Sequence, residues 1–165
     1  RSAARGRGKM KGLMVAALLL AAFGTPALAR AADWRMIIER QDYAVHADAQ
    51  SVRTTSKTSV SVWCRTTART DRYRVFMVDV RREGGLPVKG YDRYGYTLST
   101  EEVNCMNTTY RSLSAADYDL SDKRLDAVFP VMLWRHVTQD STYYFLARRV
   151  CGAVGEMGYW NFPEY

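Results

Sequence analysis

The chain has 165 residues, with 24 lysines and arginines against 17 aspartates and glutamates, a formal net charge of +7. A basic excess of that size ordinarily points to nucleic acid or an anionic surface, but here it is local. Residues 1–31 hold six basic residues and no acid, so the remainder carries 18 basic against 17 acidic residues, about +1, which removes nucleic acid from the partners that charge supports.

The six are Arg1, Arg5, Arg7, Lys9, Lys11 and Arg30. Between them an apolar run, Leu13 to Phe23, is closed by Gly24, Thr25 and Pro26 and followed by Ala27-Leu28-Ala29-Arg30-Ala31. A basic end, a short apolar core and an Ala-x-Ala site are the parts of a secretory signal peptide. The run falls well short of the ~20 residues a spanning helix needs; the alternative is a buried N-terminal helix. Residues 1–31 are therefore expected to be a signal peptide with an upstream extension, Met10 being the start. Cleavage after Ala29 or Ala31 is open, with Ala31 preferred. No cysteine for lipid attachment stands at that site. The expected product is exported, periplasmic or secreted, without a membrane span, and its surface display is left open. What remains suits one domain better than two.

Eleven tyrosines and four tryptophans all follow residue 31 and favour strands. Trp34 to Glu39 alternates as a first strand with Trp34, Met36 and Ile38 on one face. Gln41-Asp42 is a turn, and Tyr43 to His46 is the returning arm. Ala47 to Val52 reads as a turn or a single helical turn, and Arg53 to Lys57 as a polar loop. Thr58 to Arg65 is the clearest strand: Val60, Val62 and Cys64 share one face, and Ser59, Ser61 and Trp63 the other. After a polar break over 66–72, Tyr73 to Val80 reads as a further strand and Arg81 to Pro87, with paired glycines and a proline, as a loop. Tyr94 to Thr100 leads into Glu101 to Cys105, a central strand, with Thr108 to Leu113 as hairpin partner and one more short arm within Tyr118 to Leu125.

Beyond Phe129-Pro130 the spacing changes. Asp140 or Ser141 is placed to cap a helix whose stripe is Tyr143, Leu146, Ala147, Val150 and Cys151. Arg148 and Arg149 suit the negative end of its dipole, and Gly152 suits its exit. A strand would also accommodate its tyrosines and phenylalanine. Residues 152–165 form an aromatic tail without assignment.

Cysteines of an exported domain are read first as disulfides. We pair Cys105 with Cys151, which ties the terminal element to the central strand. Cys64, mid-strand on a valine-lined face, reads as a small buried hydrophobe; a paired or reactive Cys64 is the alternative. No two cysteines have zinc-knuckle spacing. His46 and Asp48 would face the same way on a continuing strand, as a base and its orienting acid do. Cys64 with His136 would make a thiol–imidazole pair. Chance neighbours in a polar hairpin and a buried thiol are the plainer readings. Asp119, Asp122 and Asp126 read as a solvated turn. There is no Gly-rich phosphate loop, His-Glu-x-x-His or Gly-x-Ser-x-Gly. No catalytic, metal or cofactor site is assigned.

For binding, Lys89 to Tyr96 sets Tyr91, Arg93, Tyr94 and Tyr96 among glycines and charges, an interface-like composition; ordinary alternation on a half-buried strand is the alternative. Gly158 to Phe162 is a second aromatic cluster, either exposed or packed back onto an open sheet face.

Taken in order, Ala32-Asp33-Trp34, Tyr43 with Ala47 to Val52, Val60 to Trp63, Glu102 to Cys105 with Tyr110-Arg111, Tyr118-Asp119, Trp134 with Val137, and Val150-Cys151 resemble the surface-adhesin protein E family of small exported bacterial proteins. The resemblance implies an antiparallel sheet with a C-terminal helix fastened to it by a disulfide, and a non-enzymatic, ligand-binding or adhesive role. Named members bind host proteins at the cell surface. The chain departs from the family in lacking a lipid-attachment cysteine, in its extra Cys64 and in its tail past Cys151. The expectation is an α+β domain over residues 32–151, a single antiparallel β-sheet with a C-terminal helix tied to it by a disulfide. Its expected role is that of an exported non-enzymatic binding protein of the bacterial envelope. The partner would be a host or envelope protein, a second copy of the chain included, with no cofactor. A periplasmic structural or chaperone-like factor is the alternative.

Overall fold

The computed structural model describes residues 31–128 and 133–153, without the side chains of Val128 and Ala153. The leader read as a signal peptide, Phe129-Pro130 and the tail with Gly158 to Phe162 lie outside the described residues. The fold below is that of the described residues from Ala32 onward, which belong to one unit.

Strand β1 (Trp34–Glu39) and β2 (Tyr43–Asp48) form the first hairpin. A register shift between Met36 and Ile38 bulges β1. The face expected for Trp34, Met36 and Ile38 is therefore corrected. Trp34 and Met36 pair with Asp48 and His46, but beyond the bulge Ile38 pairs with buried Val45, because one inserted residue flips every later side chain. Asp48 then ends β2 by accepting from Gln50 N at 3.0 Å and from Asp33 N at 2.8 Å, which turns the chain into a 3₁₀ turn over Ala49–Ser51. Ser51 Oγ in turn accepts from Trp63 N at 2.8 Å. A two-residue strand, β3 (Arg53–Thr54), runs along Ser61 and Val60. Strand β4 extends over Ser59–Ala68.

The segment expected as a strand over Tyr73 to Val80 is instead helix α1 (Asp71–Glu83). Its ends explain this. Thr70 Oγ1 caps it by accepting from Tyr73 N at 3.3 Å, and Asp71 stands in the first turn and Arg81 and Arg82 in the last, each complementing the dipole. Asp71 pairs with Arg74 and Asp79 with Arg82 three residues on. Gly84 N donates to Val80 O, and Gly85 at φ +67° carries the chain out of the helix. The valines that suggested a strand lower helix propensity only by tenths of a kcal/mol each, less than about 1 kcal/mol for one cap.

A second 3₁₀ turn, Tyr91–Arg93, opens β5 (Tyr94–Asn104), which pairs with β6 (Thr109–Asp119). At Gly95 a Cβ would stand 2.8 Å from Asp119 O, so only glycine lets these backbones close there. The further arm expected within 118–125 is β7 (Arg124–Val128), β6 itself running to Asp119. Strand β8 (Arg135–His136) pairs with the start of β6. Helix α2 (Thr142–Ala153) begins where Ser141 Oγ accepts from Tyr144 N at 3.1 Å, and it continues through Gly152 rather than ending there.

Among the described residues these make one antiparallel sheet of eight strands, ordered β1-β2-β4-β5-β6-β7, with β3 beside β4 and β8 beside β6. Both helices lie on one of its faces. Val60, Val62 and Cys64 of β4, Val103 of β5 and Ala47 of β2 pack under Leu146, Ala147, Val150 and Cys151 of α2, with Tyr143 against them. Four residues along the same face of β4, Ala68 joins Tyr91 and Tyr94 under Tyr73, Met77 and Val78, three residues of α1. Tyr43 spans the two groups: its ring is 5.2 Å from that of Tyr73, and its hydroxyl is 3.4 Å from Thr142 Oγ1. A disulfide, Cys105–Cys151, fastens α2 to the end of β5.

Candidate functional site

With both helices on one face, the other is uncovered by any described element. The odd-numbered residues of β4 stand on it. Trp63 is 42 % exposed there. Next to it Arg65 faces His46 on β2 and Leu98 on β5, and His46 in turn faces Met36. The following row is Thr67, Tyr96 and Tyr118. Tyr96 and Tyr118 stack at 4.9 Å, and the Arg65 guanidinium lies 4.6 Å over the Tyr96 ring. The Nε of Arg65 is buried and has no hydrogen-bond partner among the described residues. At the other end Arg111 bonds Glu102 at 2.6 Å and lies 4.6 Å from the Trp134 ring. Two arginines on aromatic faces, with exposed Trp63, Trp134 and Met36 around them, make a surface of the composition that interfaces favour.

The four tyrosine-segment residues separate. Tyr96 belongs to this open face, its hydroxyl donating to Asp122 at 3.0 Å. Burial and that bond to Asp122 raise its phenol above the ordinary value. Arg93 is exposed, and its carbonyl accepts from Leu120 N. Tyr91 and Tyr94 stand inside the fold, 1 % and 0 % exposed, with phenols pushed far up by burial. Tyr91 lies in the 3₁₀ turn and Tyr94 opens β5, and a register shift between Tyr94 and Tyr96 sets Tyr94 apart from the open face. Their place is a polar network that composition does not reveal. Tyr91 OH and Thr97 Oγ1 donate to the two oxygens of Asp117, at 2.6 and 2.5 Å. The Arg81 guanidinium sits 3.5 Å from Asp117, 4.1 Å from the Tyr91 ring centroid and against Asp126, and donates to Pro87 O. The bond from Arg81 holds the Asp126 carboxyl below its usual range. The one signal pointing here is the series Tyr73, Met77, Arg81, which shares a face only once the segment is known to be helical.

The remaining candidates do not assemble into a reactive group. Asp48 spends its carboxylate on backbone donors, as described above, rather than on His46. Cys64 is buried in the main core, where desolvation first and the neighbouring Glu101 second push its thiol well above the usual value. His136 is exposed and paired with Thr109. The Asp119 carboxylate, expected in a solvated turn, is instead buried and accepts from Ser121 N, Ser121 Oγ and Lys123 N, which lowers its pKa. No group of three metal-ligating side chains occurs among the described residues, and no helix there is long and apolar enough to cross a membrane.

A family model described as surface-adhesin protein E matches residues 34–152. No curated protein matches the chain. Among solved structures it is similar to crystal form II of Haemophilus influenzae protein E, at 16% identity over 78% of this chain and 98% of that one, TM-score 0.48. Another structure of Haemophilus influenzae protein E is similar at 15% identity over 78% and 94%, TM-score 0.45.

Proposed function

The chain belongs to the surface-adhesin protein E family, and from that premise we propose that it is an exported, non-enzymatic binding protein of the bacterial envelope. Its partner is a protein, which docks on the open face of the sheet. The observation that carries this reading is exposed Trp63 next to Arg65, whose guanidinium lies over the Tyr96 ring on a face that no described element covers. Trp and Arg anchors of this kind dominate binding energies. Tyr96 supports Arg65 from below, and in this reading it is the part of the tyrosine segment that serves binding. The absence of a lipid-attachment cysteine near Ala31 keeps a periplasmic structural or chaperone-like role as the second reading.

The test uses intact cells that make the protein. Adhesion predicts that external protease removes it, that the cells bind immobilised host-surface proteins, and that Trp63→Ala with Arg65→Ala abolishes the binding without lowering the amount displayed. Protection from external protease, with no gain in binding, favours the periplasmic role.

A further inference from the structure

A groove on the helix side of the molecule, between the C-terminal turns of α2 and the β1 edge of the sheet, shares only Met36, at that edge, with the surface described above. Its volume is about 630 Å³, inside the ~300–1,000 Å³ range of small-ligand sites. Ile37, Ala47, Val52 and Val150 make its floor. That floor is the flank of the main core, with Ala47 and Val150 buried in it and Ile37 and Val52 packed against it. The ionisable groups among its described lining residues are Arg35 and Arg149, and no carboxylate is among them. Arg35 is held by Asp33 through two bonds of 2.8 Å. Arg149 is exposed and has no ion-pair partner among the described residues.

An occupant that matches this lining has an apolar body and one anionic head. A peptide fits poorly: among the described lining residues only Thr54, besides the two arginines, offers a hydrogen-bonding side chain, so backbone amides buried there would go unpaired. The bulge in β1 beside the groove also disrupts the regular edge that strand addition requires. We propose that the groove binds a long-chain fatty acid, its carboxylate on Arg149 and its acyl chain along Ile37, Ala47, Val52 and Val150.

Titration of the full chain with cis-parinaric acid, a fluorescent fatty acid, and displacement by oleate tests this. The expected result is saturable one-to-one binding that oleate displaces. Arg149→Glu, an exposed exchange, weakens it by about tenfold or more, the loss of one charge-assisted contact. Oleyl alcohol, with a similar chain and no charge, displaces the probe about tenfold less well. Val52→Trp, which fills the groove, removes binding; if that variant does not fold, Arg149→Glu decides alone. Absence of saturable binding overturns the proposal, and so does equal affinity for the wild-type chain and Arg149→Glu.

Discussion

At the residue scale the decisive side chains are the buried polar ones, and they were the least legible. Val60, Val62 and Cys64 announced their burial by alternation and are buried. Asp117 and Arg81 gave no such signal, since 117 lies 36 positions from 81 in the sequence and only the fold brings them together. Both side chains are within 5 % of full burial, so removal of Arg81 leaves Asp117 as an uncompensated charge. Arg81→Met is expected to cost about 3–5 kcal/mol, measured by urea unfolding. Asp117→Asn, which keeps the shape and leaves Arg81 its Asp126, should cost less. Glu101 makes the opposite case. Its carboxyl is pushed up by burial, which hydrogen bonds from Ser112, Ser99 and Tyr143 only partly offset. A raised folded pKa means that the stability of the protonated form is fully present below the unfolded value, about 4.3, and is lost as pH rises through the folded one. Glu101→Gln should therefore be more stable than the wild type at pH 7, with the advantage shrinking towards pH 4. Unfolding curves at the two pH values check the sign.

At the scale of elements, α2 was readable because its stripe, its Ser141 cap and its cysteine all agree. The same five residues, Tyr143, Leu146, Ala147, Val150 and Cys151, form its packed face. The segment that became α1 gave conflicting signals. Val75, Phe76 and Val80 look like strand residues, yet they end up 59, 54 and 45 % exposed on the outer side of a helix. The Thr70 cap and the paired charges decide its type, and these are local polar features that an apolar pattern hides. The disulfide is the one covalent tie between helix and sheet among the described residues. It closes a separation of 46 residues, for which the chain-entropy model gives roughly 4 kcal/mol. Exchange of Cys105 and Cys151 together for serine is expected to lower the unfolding free energy by about that amount. Cys64→Ala in the same assay removes only a buried thiol and should leave the disulfide intact, so a thiol count under denaturing conditions falls from one to none.

At the scale of the whole molecule, the family resemblance and the sheet with its tied helix were both accessible from the order of short motifs. The open face was not, because it exists only through the choice of both helices to pack on the same side. Tyr43, which touches α1 and α2 together, is the residue that makes this visible. In our proposal this face, and not the helix layer, is where a partner docks. The decisive measurement places a photo-crosslinking amino acid at position 63 and, for comparison, at the more exposed position 75 on α1, in live cells with host-surface proteins present. Docking on the open face gives a discrete crosslinked protein from position 63, absent from position 75 and competed away by unlabelled wild-type protein. Crosslinking from position 75 alone, or equal yields from both, would contradict it.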